Sequence, residues 1–210
     1  MVSGVGGLSS SEVVLGGIGH MGWWLVRDEH DGPARIVAGP FADRADADWA
    51  AAGHPSGDPE GVRPVYGFRR ADGGLDRRTS PQDRAWLAHL GDQLDRLPDD
   101  WDAGFSDDDP LVTLVVEVVA ALSEAGLPVC DIAGAGEIGG ACLTPEPELR
   151  GIVVTWRQHD RMSVEQVHGP APDVMVQQVM NRALAEVLQL RGFAVEAFGG
   201  GSGHVVRLVA

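Results

Sequence analysis

Between Pro98 and Pro110 the chain carries Asp99, Asp100, Asp102, Asp107, Asp108 and Asp109, and this proline-bounded acidic stretch divides the rest into two regions. Like-charge repulsion and the fixed φ of proline predict an extended, solvated linker over 98–110. The aspartates miss the alternating ligand positions of an EF-hand loop and the glycine is misplaced, so a calcium loop is set aside. The 210 residues suffice for two small domains, each with its own core.

The first region, 21–97, reads as two β-hairpin–helix units in tandem. Trp23 to Val26 has the aromatic and β-branched content of a strand, Asp31-Gly32 supplies a turn, and Ala34 to Ala38 returns. Gly39-Pro40 stops it, and residues 42–52 suit a helix with Trp49 as its large anchor. The plan recurs: strand 65–69, turn 72–74, short return 75–78, then a helix with Ser80 as N-cap and Pro81 at its first position. Trp86, Leu87, Leu90, Leu94 and Leu97 form its apolar face.

The second region, 111–210, opens with a helix from Leu111 to about Ala125 that is apolar nearly all round and therefore buried. Strands are expected near 129–132, 140–143 and 151–156, followed by a helix over 173–190 and strands at 193–198 and 204–209. The helix presents Val176, Val179, Met180, Ala183, Leu184, Val187 and Leu188 at helical spacing. The α-β-β-β-α-β-β order predicts an antiparallel sheet with helices on one face. The fold class is α+β in two small modules.

Composition limits the partners. Asp and Glu number 31 against 16 basic residues, a formal charge of −15, which repels nucleic-acid phosphates and anionic membranes. The expected partner is a protein with a basic surface, with a homodimer as a further option. Every basic residue is arginine, as high genomic GC content would produce; escape from lysine-directed tagging and adaptation to salt are alternative readings. Residues 1–20 lack the charged start and continuous apolar run of an export signal and read as a flexible leader, with Met21 as an alternative start. The apolar run Leu111–Leu122 is too short to span a bilayer, so a cytoplasmic protein is expected. Cys130 and Cys142 are expected as reduced, buried thiols, a cross-strand bridge requiring a suitable register.

Residues 134–139 fit G-x-G-x-x-G, but Gly140, Pro145 and Pro147 forbid the helix whose N-terminus would receive a pyrophosphate, leaving a glycine-rich turn. Gly199 to Gly203 lacks the Lys-Ser/Thr ending of a phosphate loop, and His204 stands where a nucleophile elbow needs glycine. His159, His168 and the cysteines lack metal-ligand spacing, so neither a metal nor a cofactor is expected. The polar cluster Trp156, Arg157, His159 and Arg161 at a strand end supplies candidate contacts for a ligand or partner, with Asp160 pointing away from His159. Trp24 is a further candidate contact, because Trp23 and Trp24 face opposite sides of a strand.

Residues 34–47, with Gly39-Pro40-Phe41 between strand and helix, resemble half of a SPOR repeat, a resemblance that implies binding to envelope glycan strands. The element order of the second region is similar to that of small secretion-chaperone-like domains, which implies an acidic dimer holding partner segments. In composition, and in phrases such as Asp83 to Leu90, the chain resembles proteins of high-GC actinobacteria. The reading that best accommodates these features is a non-enzymatic adaptor or chaperone-like protein. Its rival is an enzyme or small-ligand binder in the second region, with Arg157, His159, Glu137 and Cys142 around a pocket.

Overall fold

The computed structural model describes residues 19–29, 32–53, 62–106, 108–132, 138–159 and 171–208. Among them are four α-helices and eight strands in two antiparallel four-stranded sheets, an α+β fold. The chain divides into two units, Met1–Arg84 and Ala85–Ala210.

The first unit contains β1 (Met21–Glu29), β2 (Gly32–Phe41), α1 (Arg44–Ala52), β3 (Val62–Arg69) and β4 (Leu75–Arg77), with strand order β2-β1-β3-β4. Central β1 is apolar on both faces. Trp23 and Leu25 pack with Ala38, Val62 and Ala47 of α1, whereas Trp24 and Val26 pack with Ile36 and Val65 on the other face. Gly39, at φ 117°, passes so close to β1 that a Cβ would lie 2.8 Å from the Trp23 carbonyl oxygen. Asp43 caps α1 by accepting the Asp46 N–H at 2.8 Å. Trp49 does not anchor α1: it is 84% exposed, and Ala47, Ala50 and Ala51 face the sheet instead. Helix α1 lies close enough to the sheet there for methyl groups to fill the gap.

Helix α2 (Pro81–Leu94) begins with a reciprocal cap, Asp83 N–H to Ser80 Oγ at 3.0 Å and Ser80 N–H to Asp83 Oδ2 at 3.3 Å. Its Leu90 and Leu94, with Leu97 beyond, join the core of the second unit, while Leu87 is 58% exposed. The segment after it is a series of turns rather than an extended linker. Backbone bonds run from Trp101 to Pro98, Ala103 to Asp100, Phe105 to Asp102 and Asp109 to Ser106, and Trp101 packs on the core. Apolar burial of Leu97 and Trp101 overrides the repulsion between solvated aspartates, which salt screens.

The rest of the second unit comprises α3 (Pro110–Glu124), β5 (Gly140–Glu146), β6 (Gly151–Arg157), α4 (Ala171–Leu190), β7 (Phe193–Phe198) and β8 (Gly203–Leu208), with strand order β5-β6-β8-β7. Its core joins Val115, Val118 and Leu122 of α3 to Leu184 and Leu188 of α4 over the sheet residues Leu143, Ile152, Val154 and Val206. Each such side chain contributes about 1.5–3 kcal/mol on burial. No described helix is long and apolar enough to cross a membrane.

Two expectations for this unit are corrected. The strand at 129–132 shrinks to one bridge, Val129 to Ala141, because side chains from α2 and the turn after it satisfy the backbone there: Gln93 Oε1 accepts the Val129 N–H at 3.0 Å and Arg96 Nη1 donates to the Val129 carbonyl at 3.2 Å. Cys130 and Cys142 are not reduced thiols but form a disulfide, their Cα atoms 5.3 Å apart. The same pairing that makes the bridge, Cys130 N–H to Ala141 O at 3.0 Å, brings the two side chains together.

Candidate functional site

The C-terminal end of β6, helix α4 and the turn between β7 and β8 meet at one buried amide. Asn181 is 3% exposed, on the same stripe of α4 as Leu184 and Leu188. Its Oδ1 accepts the Trp156 N–H at 2.7 Å and its Nδ2 donates to the Ser202 carbonyl at 2.9 Å. One turn earlier, Gln177 Nε2 donates to the Trp156 carbonyl at 2.9 Å, so α4 satisfies both backbone groups of that strand residue. Ser202 Oγ closes the turn onto the Gly199 carbonyl at 2.9 Å. Gly199, Gly200 and Gly201 all have positive φ, a run that residues with a Cβ do not sustain.

Against this turn α4 forms two adjoining clefts. One, of about 460 Å³, lies between Gln178, Arg182, Glu186 and Gln189 on the helix and Gly200 and His204 opposite. The other, of about 370 Å³, takes in Val174, Gln177 and Gly199 to Ser202. His204 is opposite Val154 in the sheet register and so on the helix-covered face. Its Nδ1 is buried with no hydrogen-bond partner among the described residues, and burial holds the imidazole below its ordinary pKa. Val174, at the edge of the second cleft, is 58% exposed, and beyond it α4 exposes Met175 at 65% and Val179 at 61%.

Chemically, the arrangement offers carboxamides, one guanidinium and one carboxylate on a ridge beside exposed apolar side chains. These groups donate and accept hydrogen bonds. Asn181 is occupied on both sides by backbone, which makes it a strut. Among the described residues no group of three His, Cys, Asp or Glu side chains is placed to hold a metal ion.

Of the residues singled out from the sequence, Trp156 belongs to this site, through its backbone and through a ring packed on the core. Arg157 ends β6 and His159 follows it, exposed; neither lines the two clefts. Their backbone runs past Gly139, where a Cβ would lie 2.5 Å from the His159 nitrogen. Arg161, Glu137 and His168 lie outside the described residues. Cys142 is committed to the disulfide. Trp24 presents no contact surface: it is fully buried in the first unit, with Nε1 donating to the Gly67 carbonyl at 3.0 Å. Sequence reasoning missed Asn181 and His204. Asn181 was signalled by a carboxamide three and seven residues ahead of Leu184 and Leu188, on the buried stripe. Comparison with protein-family models, curated proteins and solved structures gives no significant match.

Proposed function

We propose that this protein is a non-enzymatic adaptor or chaperone-like module that uses the outer side of α4 to bind a protein with a basic surface. The observation that carries this reading is the apolar group Val174, Met175 and Val179, exposed beside the hydrogen-bonding ridge of Gln178, Arg182 and Glu186. Apolar side chains bordered by polar groups are the usual composition of a protein contact patch. The formal charge of −15 selects the partner's sign, steering basic surfaces inward and repelling nucleic acid.

The test is a cross-linking comparison in the native host. A photoreactive residue at Met175 is expected to capture a discrete protein at low salt, with capture falling as ionic strength rises and disappearing in a Val179→Asp background. A reactive residue at Asp99 serves as the control. Equal capture from both positions, or none from Met175, would contradict the reading.

A further inference from the structure

We propose that a third cleft in the C-terminal unit, apart from the two beside α4, is a binding site for a small apolar carboxylate, such as a medium-chain fatty acid. The cleft, of about 460 Å³, is walled by Phe105, Leu111, Leu114 and Pro147, with Arg150 and Arg207 among its lining. That size suits a small organic ligand, and the pairing of an apolar wall with a few charged groups is typical of such sites.

Arg150 is the first argument. It follows the short 3-10 turn Pro147–Leu149 with φ 48° and ψ 46°, and it is the one described non-glycine residue with positive φ. The left-handed conformation at such a helix end strongly favours glycine or asparagine. This chain has 29 glycines and uses glycine at its other described positive-φ positions, yet here it keeps an arginine. The closing bond of the turn needs no arginine side chain, being the backbone N–H of Arg150 to the Pro147 carbonyl at 3.1 Å. The Arg150 side chain has no ion-pair partner among the described residues, in a protein with an excess of acids. Strain kept at one residue whose charge is unspent points to a ligand.

Arg207 is the second. Its Nε donates to the Leu149 carbonyl at 2.9 Å and its Nη1 to Glu196 at 2.8 Å, so the guanidinium is fixed in place before any ligand arrives. Asp109, the one carboxylate lining the cleft among the described residues, is turned into the start of α3, where its Oδ1 accepts the Leu111 N–H at 2.8 Å. The protein's overall field repels anions, and at physiological salt that field is screened within about 8 Å. Glu196 offsets the charge of Arg207, so the guanidinium of Arg150, unpaired among the described residues, supplies the local charge, and a carboxylate is its match.

Calorimetric titration of the full chain with octanoate, octan-1-ol and acetate separates the contributions of tail and head. Saturable 1:1 binding of octanoate is expected, with octan-1-ol about tenfold weaker or worse and acetate showing none. Arg150→Glu, at an exposed position that leaves the core untouched, should weaken octanoate about tenfold or more and leave octan-1-ol unchanged. Arg150→Gly should weaken octanoate likewise while keeping or raising the thermal midpoint, since glycine relieves the backbone. Absence of saturable octanoate binding would overturn the proposal, as would equal affinity for the alcohol or indifference to both Arg150 substitutions.

Discussion

The backbone N–H of Trp156 donates to Asn181 Oδ1 at 2.7 Å, which ties the end of β6 to the middle of α4 where both border the glycine turn. Replacing Asn181 with leucine keeps the branched four-atom side-chain skeleton, adds some bulk and removes both bonds. It leaves the Trp156 N–H and Ser202 carbonyl to find water or go unpaired, at a cost of about 1–3 kcal/mol. Urea denaturation of the Asn181→Leu variant should show that loss, and an unchanged midpoint would mean the amide is not a strut.

Leu184 and Val179 belong to one apolar face by sequence spacing, but Leu184 is 1% exposed and Val179 61%. Leu184→Ala should therefore cost about 2–5 kcal/mol. Val179→Ala should stay within about 0.5 kcal/mol. Paired denaturation curves check the contrast, and comparable losses would refute the placement of α4.

His204 gives the second unit a pH dependence with a definite sign. Burial lowers its folded pKa beneath the ordinary 6.5, so the unfolded chain takes up the proton first. This group costs no stability above the unfolded value. A penalty then grows as pH falls from there to the folded pKa and is constant below it. Across the cleft lie Arg182 and Glu186, whose charges act in opposite directions on the imidazole. Thermal midpoints between pH 7.5 and 5 should fall less in His204→Gln than in the parent; identical profiles would exclude His204 as the cause.

The disulfide between Cys130 and Cys142 closes a segment with a sequence separation of 12, a constraint on the unfolded chain worth about 3 kcal/mol. The oxidised protein should show no titratable thiol after denaturation without reductant, and reduction should lower the stability of the C-terminal unit. Two reactive thiols under those conditions would contradict the bond.

The α+β class and nearly every helix and strand were legible in the sequence because Gly and Pro punctuate runs of clear period. The failures arise where tertiary contacts decide the outcome. Spacing identifies an apolar face but not which part of it a partner covers, so Trp49 and Val179 were placed inside and are exposed. Backbone groups at Val129 are satisfied by Gln93 and Arg96, residues 36 and 33 positions away, so a strand-like composition there produced one bridge. The described aspartates of 98–110 lie in turns held by Leu97 and Trp101, a packing outcome that charge counting misses. The candidate site was legible only in Trp156. Asn181 and His204 acquire their meaning from register, which brings residues 156, 181, 202 and 204 together.

Site-specific photocross-linking from Met175 in the native host, with Asp99 as reference, shows whether the outer side of α4 binds a protein partner. One salt-sensitive protein adduct is expected from Met175, lost in Val179→Asp and absent from Asp99. Recovery of the same adducts from both positions, or of none from Met175 at low salt, would contradict it.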